Sequence, residues 1–215
     1  MSFLNQLKAQ ARALQSEQQV QQMQDDESTR QTEAAAKTAW LYVAELARQL
    51  EVIEPAGPAL SLDGKTPWPA MKLVDFRFDA RKKTLRDKEV FDYIVIGWRL
   101  VPREGDPVGG SVSANFPPEL QRIEARLFGG SVKHERIDVR HPEKNTLQAI
   151  QFNYFTEARG NVTIVADHAA AQLSFRLVNT RGFEVVTVVY PADKIDSHLL
   201  DELAKLIVGQ SSCFV

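Results

Sequence analysis

Residues 71–101 read MKLVDFRFDARKKTLRDKEVFDYIVIGWRLV, and within this run the hydrophobic period becomes two. Val74, Phe76, Phe78 and Ala80 fall on one side of an extended chain, and Asp75, Arg77 and Asp79 on the other. Side chains of a strand point alternately to its two faces, so this pattern predicts a strand with one buried face. Residues 90–101, VFDYIVIGWRLV, are apolar on both sides, as at the centre of a sheet. The charged run between them, RKKTLRDK at 81–88, predicts the tip of a hairpin.

Moving toward the C-terminus, FPPELQRIEARLF (116–128) predicts a helix opened by two prolines and stopped at Gly129-Gly130. Strand-like runs follow at 131–141, 146–156, 161–167, 171–179 and 183–190. They are separated by turn residues at Pro142–Asn145, Arg159-Gly160 and Thr180–Gly182. Links this short predict antiparallel neighbours, because a parallel crossover needs about a dozen residues or more. The run DSHLLDELAKLIVG (196–209) predicts a closing helix, with Asp196 or Ser197 as its N-cap, Leu199, Leu203 and Leu206 inward and Gly209 as its stop.

On the N-terminal side the period is helical. Residues 1–54 contain no Gly or Pro and are rich in Ala, Gln, Leu and Glu. Leu4, Leu7, Ala11 and Leu14 form a narrow stripe at 3-4-3 spacing, which continues onto Gln18 and Gln21. It turns apolar again at Ala36, Trp40, Val43, Ala47 and Leu50. Ser28 followed by Gln31 matches a capping box. Two helices are therefore expected, at about 3–22 and 29–52, with one kinked helix as the alternative. The expected organisation is a helical arm (1–55), a connector (56–69) and an α+β domain (70–215). That domain has an antiparallel sheet of about seven strands, one inserted helix and a C-terminal helix.

Composition narrows the function. A net charge of −2 and pI near 6.1 give no global attraction to nucleic acid. The arm and its final proline carry 5 basic against 8 acidic residues, or −3, leaving +1 for the rest. A single cysteine, Cys213, precludes an internal disulfide and any cysteine-based zinc cluster. No apolar run reaches the roughly 18 residues of a membrane span, and no signal-peptide core is seen, so a cytoplasmic location is expected.

The densest polar stretch is GGSVKHERIDVRH (129–141). In a strand, His134, Arg136, Asp138 and Arg140 share one side, read as a water-facing surface able to bind a charged group. His134 and His141 then point oppositely, roughly 23 Å apart at about 3.3 Å per residue, and cannot share a metal. A helical zinc-protease pattern needs a second His where Asp138 stands. GGSVSA (109–114) lacks the second glycine of a nucleophile elbow and the helix start of a phosphate cradle, and reads as a loop. His168 and His198 have no assignable partner. The hairpin residues Arg81, Lys82, Lys83, Arg86 and Lys88 are the one local concentration of positive charge, a candidate anion contact with no aromatic interleaved for base stacking.

Three functions remain. The first is a non-enzymatic interaction protein whose arm associates through Leu4, Leu7, Ala11 and Leu14. Its partner is a second copy, giving a dimer, or another protein; neither nucleic acid nor membrane is expected, and no cofactor. The second is a small-molecule-binding domain: the element order resembles the helix-grip arrangement, which implies an apolar pocket lined by Phe76, Trp98, Phe152 and Phe175. An enzyme of unassigned class is third, because nothing nominates a nucleophile with its base, a metal set or a cofactor motif.

Overall fold

The computed structural model describes residues 3–215, without the side chains of Leu4, Gln6 and Ala9. Helix α1 (Phe3–Ile53) leads into strands β1 (Met71–Leu85), β2 (Lys88–Pro102) and β3 (Gly109–Ala114), then helix α2 (Pro117–Gly129). Strands β4 (His134–Arg140), β5 (Leu147–Phe155), β6 (Ala158–Asp167), β7 (Gln172–Val178) and β8 (Val185–Pro191) follow. A 3-10 turn (Ala192–Lys194) and helix α3 (Ser197–Ile207) close the chain. The class is α+β, and every strand pairing is antiparallel.

The strands form two sheets rather than one, β1-β2-β6-β7-β8 and β3-β5-β4. The eighth strand is β3, the GGSVSA segment read above as a loop. Glycines have low strand propensity, but here pairing with β5 supplies the order. Gly110 also makes room for the Tyr154 ring, since a Cβ there would lie 2.7 Å from it. The expectation that neighbouring runs pair fails at one place: β5 and β6 are joined by only Thr156-Glu157 yet belong to different sheets. Buried Thr156 holds this crossing, its N–H donating to the Val108 carbonyl and its Oγ1 accepting from the Val108 N–H.

A single helix replaces the expected pair. Ser28 is not a cap but an interior residue whose carbonyl accepts from Thr32 Oγ1. Asp25 accepts from Gln21, and Glu27 from Arg30 and Gln31, all at i,i+3 or i,i+4 spacing along one helix. The hairpin turn neutralises the acidic triplet from outside: Arg86 pairs with Asp25, and Lys88 lies 3.8 Å from Asp26. With no Gly or Pro to interrupt it, the helix runs on.

Its C-terminal half lies on the five-stranded sheet. Ala35, Ala36, Ala39, Val43, Ala47 and Leu50 are buried there with Ile94, Ile96, Trp98 and Leu100 of β2 in one continuous core. Gly160 faces Trp98 across the ladder, and a Cβ in its place would lie 2.4 Å from the indole nitrogen. Helix α3 flanks α1, where the Tyr42 hydroxyl donates to Asp201 at 2.6 Å. Burial first, then this bond, pushes the Tyr42 pKa up. The connector after α1 buries Leu60, Leu62 and Trp68, and Asp63 organises its turn by accepting from the N–H groups of Lys65 and Thr66. The C-terminal tail also enters the core: Phe214 is fully buried against Phe175 and Tyr190.

Candidate functional site

Along α1 every described side chain from Phe3 to Gln24 is exposed. These 22 residues span about 33 Å at 1.5 Å per residue. Phe3, Leu7 and Leu14 are 73%, 45% and 59% exposed. Ala11 shares their side of the helix, and the side chain of Leu4 lies outside the described part. This stripe is the forward extension of the face that Ala36, Val43 and Ala47 bury on the sheet. It runs past the sheet's end.

Beside the buried half of α1 lies a groove. β1 is the outer strand of its sheet, and its Phe78 and Ala80 stand on the helix side opposite Ile96 and Ile94. α1 covers Phe76, Phe78 and Ala80 only in part. One cleft of about 520 Å³ is lined by Glu33, Ala34, Lys37, Trp40, Ala80, Lys82 and Phe91. A second of about the same volume (≈ 520 Å³) continues it past Trp40 to Leu41, Ala44, Glu45, Arg48 and Glu51, over Phe76 and Phe78. Trp40 forms the shared wall, tilted on Phe78 and Phe91 at 6.5 and 6.0 Å. Leu41 beside it is 54% exposed.

The groove is charged at intervals. Neither Lys37 nor Lys82 is ion-paired among the described residues. Lys82 lies over the Phe91 ring at 5.3 Å. At the other end Glu45 takes bonds from Gln49 and Arg48, which hold its carboxyl below the usual range, and Glu51 accepts from the Phe76 N–H. Sequence reading missed this groove. A signal was present: Ala34, Leu41 and Ala44 add apolar residues outside the stripe that the sheet uses.

The other predicted residues do not converge. Arg81, Lys82 and Lys83 belong to β1 rather than to a loop, because the turn is only Arg86-Asp87, both with positive φ. Lys83 pairs with Asp92 at 2.9 Å, and Arg86 and Lys88 turn to α1. On β4, His134, Arg136 and Asp138 share a face with the buried Tyr154, Phe152 and Ile150 of β5, yet Arg136, Asp138 and Arg140 stay exposed and His134 is half-buried. The His134 ring packs between Phe128 and Phe152, with Nδ1 donating to the Val132 carbonyl. Arg136 and Arg140 reach water and flank Asp138 at 3.5 and 3.9 Å. Ser111 pairs with Asn153, one position out of step with Tyr154 and His134, and therefore points to the other face. His141 accepts from the backbone of its own turn.

Of the four proposed pocket residues, Phe76 packs on Trp98, Phe152 on His134, and Phe175 on Tyr190 and Phe214. They occupy three separate parts of the core. Among the described residues no three His, Cys, Asp or Glu side chains come together as a metal site. Among the described residues no helix is long and apolar enough to cross a membrane. Comparison with protein-family models, curated proteins and solved structures finds no match.

Proposed function

We propose that this chain is a non-enzymatic association protein that dimerises through the projecting half of α1. The observation that carries this reading is the apolar stripe of Phe3, Leu7, Ala11 and Leu14 on a stretch of helix whose described side chains, from Phe3 to Gln24, are all exposed. Most helices owe their stability to a packed face rather than to propensity. A face that is apolar at 3-4 spacing calls for a surface to cover it, and a second copy meets that need with closed two-fold symmetry. The sheet domain then serves as the body that the arm carries.

Sedimentation of the full-length chain at tens of micromolar should give a dimer. The double substitution Leu7→Arg, Leu14→Arg should give a monomer whose core, measured by near-UV circular dichroism, is unchanged. A full-length chain that sediments as a monomer overturns the proposal.

A further inference from the structure

We infer that the arm of one copy docks antiparallel in the groove between α1 and β1 of the other, so that the two copies exchange arms. This rests on the dimer reading above and adds to it the seat, the direction and the register. The groove runs about 27 Å along α1 from Glu33 to Glu51, against about 33 Å for the arm.

The surfaces match in kind. On its own sheet, α1 buries one face against β1 and β2, and the arm's stripe is that same face continued. In the groove it meets the same type of floor, Phe76, Phe78 and Ala80 on the helix side of β1. Two antiparallel α1 helices lying side by side, related by a two-fold axis normal to the sheet, keep both sheets on one side of the helix pair. Each arm's stripe then faces its partner's β1. An arm–arm coiled coil would leave that floor open to water.

Symmetry fixes the direction: two arms can each lie along the other copy's α1 about one two-fold axis only if the helices run antiparallel. The arm carries Lys8 and Arg12 toward its start and Glu17 toward its middle. The groove carries Lys37 and Lys82 with Glu33 at one end, and Glu45 and Glu51 with Arg48 at the other. In the antiparallel register, with residues 3–24 laid against 51–33, Lys8 comes level with Leu46 and Ala47, beside Glu45. Leu14 then lies level with Trp40 and Leu41, and Ala11 with Ala44. Parallel docking sets Lys8 and Arg12 beside the lysine end. Near the two-fold axis the acidic residues Asp25 and Asp26 of each copy are already matched by that copy's Arg86 and Lys88.

Cysteine cross-linking of the full-length chain separates the alternatives, with Cys213→Ser as background. Ala11→Cys in one copy and Ala44→Cys in another should form an intermolecular disulfide when mixed. Ala11→Cys alone should not link to itself, because antiparallel docking holds the two positions about 50 Å apart. Efficient self-linking of Ala11→Cys means that the arms pair with each other; the groove inference then fails while dimerisation stands. A dimer with neither cross-link also overturns the groove. A chain that is monomeric throughout removes both readings.

Discussion

Phe91 sits where β2 outruns its neighbour. The ladder between β2 and β6 begins at Tyr93 and Val165, and two positions earlier the Phe91 backbone has no strand to pair with on that side. Two side chains stand in for the missing strand: Glu33 accepts from the Phe91 N–H at 2.6 Å, and His168 Nε2 donates to the Phe91 carbonyl at 2.8 Å. His168 is only 5% exposed, so its bond forms out of water, where an unpaired carbonyl is costly. His168→Ala should lower unfolding free energy by about 1–3 kcal/mol in urea titrations. His168→Gln, which retains a donor, should lose less, and equal losses would show the ring is filling space only. In the sequence His168 is a turn residue with no visible partner, because its partner is backbone 77 positions away, and backbone carries no residue signal. Asp63 is a second such residue. Burial raises its pKa, but bonds from the N–H groups of Thr66 and Lys65 and the hydroxyls of Thr66 and Ser61 outweigh that and hold it well below the usual range. A depressed folded-state pKa means stability that is full above the unfolded value and fades as pH falls. Asp63→Asn should therefore cost about 1–2 kcal/mol at pH 7, and the difference from wild type should shrink below about pH 4. A difference that stays constant down to pH 2 would mean the charge is not what the turn uses.

At the scale of elements, period was legible and partnership was not. The alternation of 71–80 and the 3-4 spacing of 36–50 each specify an element from its own residues, and β1 and the buried half of α1 follow them, except that a bulge between Val74 and Arg77 turns Val74 to the face opposite Phe78 and Ala80. Whether Ser28 caps a new helix depended on what met Asp25 and Asp26, and the answer lay in Arg86 and Lys88, some sixty positions away. The two readings differ in sign under one substitution. Replacing an N-cap serine by alanine costs about 1 kcal/mol, whereas alanine in a helix interior is neutral or favourable by up to about 0.5 kcal/mol. Ser28→Ala should thus leave thermal stability unchanged or slightly raised, with equal or greater far-UV ellipticity. A drop of several degrees would restore the two-helix description. On β4 the alternation was sound, but it does not say which face the neighbouring strand buries. Pairing sets Arg136 and Asp138 on the face of buried Phe152 and Ile150, but both remain exposed, and of that side only His134 is drawn in, between Phe128 and Phe152.

For the molecule as a whole, the hydrophobic core is one cluster that includes residues from all three helices and both sheets. Its least legible member is Phe214. Lying beyond the helix stop at Gly209, it falls in no expected element, yet it is fully buried and its ring lies 5.3 Å from both Phe175 and Tyr190. Three polar contacts bring it there: Tyr190 Oη donates to the Phe214 carbonyl, Glu202 accepts from the Cys213 N–H, and Ser212 Oγ donates to the Glu202 carbonyl. The tail thereby joins α3 to β7 and β8, and α3 in turn holds α1 through Tyr42 and Asp201. Phe214→Ala should leave a cavity and cost about 3–5 kcal/mol, a large part of the stability of a domain this size. Because the core is continuous, that loss should move the whole unfolding transition, with near-UV and far-UV signals shifting together. If the near-UV transition moves while most of the far-UV signal stays, the cluster consists of two independent cores, and the arm's half of α1 is not tied to the tail.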